Sequence, residues 1–156
     1  MKKMKRTVLS WILVLAMILS GVALPQEQQV KAAGTSYDLS VSEGASPLTL
    51  AKNQWGDDYI ADILFQVPDV IADKSKVQAA KPVVQVTMKI NSISSDTGSI
   101  HAMLYAQDSS YNWNNSKAVD VSAGREITVS YDLSSMSWKE TTLAKLGIRF
   151  ADNAVN

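Results

Sequence analysis

The residues best suited to bind something form a short run, Tyr111-Asn112-Trp113-Asn114-Asn115. Sugar rings present C–H faces that stack on flat aromatic surfaces, and their hydroxyls need amide or carboxyl partners. Trp and Tyr ringed by Asn and Gln supply both. Trp113 is the natural platform, with Tyr111, Asn112 and Asn114 around it. Just upstream, His101, Tyr105 and Gln107 alternate along one side of an extended segment that leads into this run and could lengthen the platform. A second reading stays open: Trp113 plugs the loop onto the edge of the fold and binds nothing. Trp55 and Trp138 also stand beside polar residues. Trp138, close after Met136, reads as a packing residue.

Other chemistry is thinly provided for. Hydrolysis of a glycosidic bond needs two carboxyl groups flanking it, and the densest acid cluster is Asp57-Asp58 with Asp62. Its plainer reading is a solvated loop, since acids are mostly exposed. A calcium site would need several oxygen ligands, and the D-x-[DN]-x-[DN]-G loop is absent. His101 is the single histidine and has no partner legible in the sequence. There is no G-x-S-x-G elbow, no Gly-rich phosphate loop and no cysteine. Disulfide scaffolds, thiolate metal sites and cysteine nucleophiles are excluded.

The 156 residues carry 15 Lys+Arg against 15 Asp+Glu, which argues against nucleic acid as a partner. The balance is uneven along the chain. Lys2, Lys3, Lys5 and Arg6 precede an apolar run from Val8 to Leu24, a polar stretch, and Val30-Lys31-Ala32-Ala33. A basic start, an apolar run and small residues at the end make a secretory signal peptide of residues 1–32, cut after Ala32 or Ala33. It looks like a Gram-positive bacterial export signal. The rival, a membrane anchor, needs a somewhat longer run. Once the leader's five bases and single acid (Glu27) are set aside, residues 33–156 carry fourteen acids against ten bases. A mildly acidic exported domain suits a neutral ligand better than DNA or an anionic membrane.

The elements that must position these residues read as strands. In Val83 to Ile90, Val84, Val86, Met88 and Ile90 share one face. In Ser99 to Gln107, Ile100, Ala102, Leu104 and Ala106 oppose His101, Met103, Tyr105 and Gln107. Ile127, Val129 and Tyr131 share a face in Glu126 to Asp132, as do Leu146, Ile148 and Phe150 in Lys145 to Ala151. This period of two marks half-buried strands. Weaker strand patterns cover Ser46–Ala51, Ile60–Val67 and Ala118–Val121, and Val70–Ala80 could hold a short helix. Turn-formers fill Asn91–Gly98, Asp108–Ser116, Ser122–Gly124 and Ser134–Ser137. The expected fold is an all-β antiparallel sandwich in one domain. The last strand pattern ends at Phe150, close to Asn156, so the sequence reads as a fragment missing a closing strand.

The succession V-Q-V-T-M-K-I, G-S-I-H-A-M-L-Y-A-Q-D, Y-N-W-N, I-T-V-S-Y-D-L and L-G-I-R-F, from Val83 onward, resembles secreted bacterial carbohydrate-binding modules. These are jelly-roll sandwiches attached to β-mannanases, cellulases and related glycoside hydrolases. The resemblance implies that Trp113 stacks on sugar, with Tyr105, Gln107 and Asn114 as polar or flanking contacts. It implies a plant cell-wall polysaccharide such as β-mannan or cellulose as ligand, and a structural calcium near the chain ends. It also implies a catalytic domain tethered on the same polypeptide, which would be a glycoside hydrolase such as a β-mannanase or endoglucanase. Two rivals remain: an enzyme built on Asp57, Asp58 or Asp62, and a free-standing structural or adhesive sandwich of the bacterial cell envelope with its aromatics in the core.

Overall fold

The structure is a computed structural model that describes residues 27–32, 35–44, 48–52, 54, 59–93 and 100–152. The strands are β1 (Glu27–Ala32), β2 (Thr35–Asp38), β3 (Val41–Glu43), β4 (Ala51–Lys52), β5 (Tyr59–Phe65), β6 (Val83–Lys89), β7 (Ile100–Asp108), β8 (Trp113–Asn115), β9 (Val119–Val121), β10 (Glu126–Asp132) and β11 (Leu143–Ala151). All pairings between these strands are antiparallel. One sheet has the order β10-β6-β1-β2. The other runs β3-β5-β11-β7-β8, with β4 also on β5 and β9 also on β7. The chain is therefore an all-β antiparallel sandwich, and β11 has a neighbour on each edge.

The period-two residues meet between the sheets. Val84, Val86 and Met88 of β6 stand opposite Tyr131, Val129 and Ile127 of β10. They pack against Ile63 and Phe65, Ala102, Leu104 and Ala106, and Leu146, Ile148 and Phe150 from the second sheet. Large and small alternate across β7 and β11: Phe150 is opposite Ala102, and Leu146 is opposite Ala106. Such alternation fills an interior without strain. Trp138 packs against the same core.

The helical segment is shorter than its pattern. A 3-10 turn at Asp69–Ile71 precedes α1 (Lys74–Ala80), the single α-helix among the described residues. Asp73 caps it, its carboxylate accepting from the Lys76 N–H at 2.9 Å. Lys81 ends it in the left-handed region, and Pro82 follows. Buried Ile71 and Val77 join the core cluster. In Ser46–Ala51 only Ala51 lies in a described strand, and residues 45–47 lie outside the described residues. The stretch expected to be one continuous turn, Asp108–Ser116, contains strand β8, because Trp113, Asn114 and Asn115 pair with Gln107, Ala106 and Tyr105. Residues 1–26, Trp55, Asp57 and Asp58 lie outside the described residues, and Glu27–Ala32 forms β1 between β6 and β2. Among the described residues no helix is long and apolar enough to cross a membrane.

Candidate functional site

The face of β7 that alternation assigns to solvent is not open. Met103 is fully buried and Tyr105 is 2% exposed, yet neither belongs to the cluster between the sheets. They lie on the outer side of the seven-stranded sheet, beneath a second, smaller layer. Gly147 of β11 stands directly opposite Tyr105. A Cβ there would come within 2.9 Å of the Tyr105 ring and 2.8 Å of the Ile63 carbonyl oxygen. The phenol ring thus lies over the bare backbone of Gly147.

Trp113 covers that ring. The two ring centres are 4.1 Å apart at an interplanar angle of 16°, a stacked pair. The indole N–H donates to the Asn115 Oδ1 at 3.0 Å, which fixes the ring's orientation in its plane. The Arg149 guanidinium lies 4.4 Å from the Trp113 ring centre and 5.4 Å from that of Tyr105. If it lay beyond Trp113 on the stacking axis, its distance to Tyr105 would be the sum of the other two separations. It is much less, so Arg149 flanks the stack and leaves the outer face of the half-buried indole uncovered by the cation. Arg149 is itself held in a fork, with Nε and Nη2 donating to the two Asp62 oxygens at 2.7 Å each. The Tyr105 hydroxyl donates to Asp62 Oδ2 at 3.4 Å. Burial alone would lower the guanidinium pKa, but the Asp62 carboxylate outweighs it and holds Arg149 firmly charged.

The loop that carries Trp113 is braced by Asp108, a residue the sequence offers only as a turn-former. Asp108 is wholly buried. Its Oδ1 accepts from the Ser110 N–H at 3.0 Å, the Ser110 hydroxyl at 2.8 Å and the Asn112 N–H at 3.2 Å. Its Oδ2 accepts from the N–H groups of Lys139 at 2.7 Å and Glu140 at 3.0 Å. Burial would raise this carboxyl's pKa, but the five donors win and hold it far below the usual carboxylate range. The aspartate is therefore a fixed anion that ties the 108–116 loop to the segment before β11. A D-x-S turn signature was legible in the sequence, but the donors from 31 and 32 residues downstream were not.

The expected site residues divide between two tasks. Gln107 is half-buried opposite Trp113 in the β7–β8 register, and among the described residues its amide has no hydrogen-bond partner. Asn114 is engaged at both ends: Nδ2 donates to the Ser137 carbonyl at 3.1 Å and Oδ1 accepts from the Ser137 N–H at 2.9 Å. Asn112 Nδ2 donates to the same Ser137 carbonyl. Asn115 donates to the Ser116 carbonyl at 2.9 Å. The asparagines around Trp113 thus stiffen the loop, whereas the Gln107 amide is not engaged by any described residue. Tyr111 stands apart at 76% exposure with φ +62°. His101 has a partner after all, its Nδ1 lying 2.8 Å from the exposed Asp120 carboxylate across β7 and β9.

Among the described residues no three His, Cys, Asp or Glu side chains gather to hold a metal ion. The buried carboxylate Asp108 has its oxygens filled by N–H and O–H donors; the chain ends, where the resemblance implies a structural calcium, lie outside the described residues.

Residues 69–156, more than half of the chain, match the family model described as mannanase, galactose-binding domain-like. The chain belongs to this family. It is thereby one of the β-rich, carbohydrate-binding modules associated with mannanases, in line with the resemblance carried by Val83 onward. The matched segment contains Tyr105, Asp108, Trp113, Gly147 and Arg149; Asp62 lies before it. No curated protein matches the chain.

Proposed function

We propose that the chain is a non-catalytic module that binds a neutral β-linked polysaccharide of the plant cell wall, β-mannan or a cellulose-like glucan, within a secreted glycoside hydrolase. The observation that carries this is Trp113. It is a half-buried indole, clamped flat by Tyr105 beneath, Asn115 at its N–H and Arg149 beside it, with the unpartnered amide of Gln107 next to it. A pre-oriented aromatic plane loses little freedom when a sugar stacks on it. In this reading the chain opens with an export signal; a cut after Ala32 would remove β1 (Glu27–Ala32) from between β6 and β2, so the pairing of β1 favours a cut ahead of Glu27. The sandwich is of the jelly-roll kind, and a catalytic domain such as a β-mannanase or endoglucanase is tethered to it. Binding then raises the local concentration of that domain on an insoluble substrate.

The test is affinity gel electrophoresis of the folded protein on soluble galactomannan and hydroxyethylcellulose. Retardation is expected on at least one, and Trp113→Ala should abolish most of it while the circular dichroism spectrum keeps its β signature. Unretarded migration of folded protein on both glycans would sink the proposal. The enzyme alternative draws no support from Asp62, whose two oxygens both accept from Arg149. The envelope-protein alternative draws support from one observation, the Tyr105–Trp113 stack, which is also how a packing tryptophan would look. It predicts tryptophan emission unmoved by any glycan.

A further inference from the structure

Tyr111 is the most exposed of the large hydrophobic side chains among the described residues, and its backbone is strained. Its φ of +62° lies in the left-handed region, which a bulky L-residue rarely adopts. Three consecutive N–H groups fix it there. Those of Ser110 and Asn112 donate to Asp108 Oδ1, and that of Tyr111 donates to the Asp108 carbonyl at 3.0 Å. On the far side Asn112 is tied to Ser137. The folded state gains almost nothing from the ring, which is 76% exposed and has no partner among the described residues. A glycine would suit the backbone better. Strain that persists at an over-determined position points to function.

Tyr111 and Trp113 are two residues apart, so their Cα atoms lie within about 7 Å of each other. That is close enough for two rings to meet neighbouring units of one extended glycan. We propose that Tyr111 is a second sugar platform beside Trp113, with Asp108 as the positioning residue that presents it, so that the site takes an internal stretch of a polysaccharide chain rather than a single sugar. This rests on the carbohydrate-binding reading above and names the chain-length class of its ligand.

The experiment is isothermal titration of the full chain and its Tyr111→Gly, Trp113→Ala and Ser110→Ala variants with mannose, mannohexaose and cellohexaose, alongside thermal melts. The parent should bind one hexaose more tightly than it binds mannose. Tyr111→Gly should melt roughly 2–5 °C higher, because the strain is relieved, yet bind that hexaose about fivefold more weakly or worse. Binding of mannose, a single ring that Trp113 alone can seat, should be unchanged. A variant both more stable and less able to bind long chains cannot be explained by damage to the fold. Ser110→Ala, which removes one of the five Asp108 donors, should weaken hexaose binding in the parent and add no further loss on top of Tyr111→Gly. Undiminished hexaose binding by Tyr111→Gly, or an equal loss for hexaose and mannose, overturns the inference. So does an additive loss from Ser110→Ala. If Trp113→Ala loses binding while Tyr111→Gly keeps it, only this inference fails. If the folded parent binds none of the glycans, the carbohydrate-binding reading fails and takes this inference with it.

Discussion

Gly147→Ala tests whether the outer aromatic layer is built as described. In an ordinary strand, alanine for glycine stabilises slightly, because the unfolded chain has less freedom to lose. Here the added Cβ would sit 2.8 Å from the Ile63 carbonyl oxygen and 2.9 and 3.0 Å from Tyr105 ring atoms. The carbonyl belongs to the backbone of β5 next to β11 and can move only if the sheet opens. The phenol ring could swing away on its own, but Trp113 is stacked on it. Overpacking of this kind costs roughly 1–3 kcal/mol, and loss of the stack adds about 0.5–1.5 kcal/mol. Set against an entropic gain of about 0.5 kcal/mol, the net loss is about 1–4 kcal/mol. That corresponds to a melting temperature lower by roughly 3–12 °C for a chain of this size. Differential scanning calorimetry reads the stability, and near-ultraviolet circular dichroism reads the coupled Tyr–Trp pair. The sign decides. A Gly147→Ala protein that melts at or above the parent, with its near-ultraviolet spectrum unchanged, would refute both the close approach of Tyr105 to β11 and the role of Gly147 as the floor of the stack.

Arg149→Lys keeps the charge but loses the two-pronged bond to Asp62 and the flat contact beside Trp113. Urea unfolding should show a loss of about 1–2 kcal/mol, and an unchanged midpoint would mean the pair contributes nothing. The Asp108 carboxyl is held far below its ordinary value near 3.8, so its stabilisation is present above that pH and disappears as the pH falls through and below it. Acid melts of the parent should therefore fall more steeply below pH 4 than those of Asp108→Asn; parallel curves would count against the five-donor assignment. Burial pushes the Tyr131 phenol up from 10.0 to about 12. The unfolded chain therefore ionises first, and stability that is complete below pH 10 is lost between pH 10 and 12. Tyr131→Phe should flatten that alkaline decline, and an unaltered decline would place its cause elsewhere.

The main strands were legible because their burial is one-sided. Val84, Val86 and Met88, or Ile127, Val129 and Tyr131, announce a period of two that no helix could use. Strand β8 was illegible because Trp-Asn-Asn has no pattern of its own; it is a strand only through its pairing with Tyr105, Ala106 and Gln107. The Asp62–Arg149 bond joins residues 87 apart in sequence, across a β5–β11 register that alternation alone does not supply. Asp108 and the asparagines after it read as generic turn-formers because their partners, Ser137, Lys139 and Glu140, arrive from a distant segment. The residues singled out for binding nonetheless fall around one place, the β7–β8 edge.

At that edge the two readings of Trp113, plug and platform, draw on the same packing. An indole free to turn would lose conformational entropy on meeting a sugar, and much of the stacking energy would go with it. Tyr105 removes that freedom by occupying one face of the indole, and Tyr105 can lie flat only because residue 147 is glycine. Arg149, locked by Asp62, holds the flank without covering the other face. The packing that makes Trp113 look structural is therefore also what the proposed binding would draw on. The Gly147-Ile148-Arg149-Phe150 segment accordingly faces two ways: Ile148 and Phe150 fill the core between the sheets, while Gly147 and Arg149 build the seat beneath the indole.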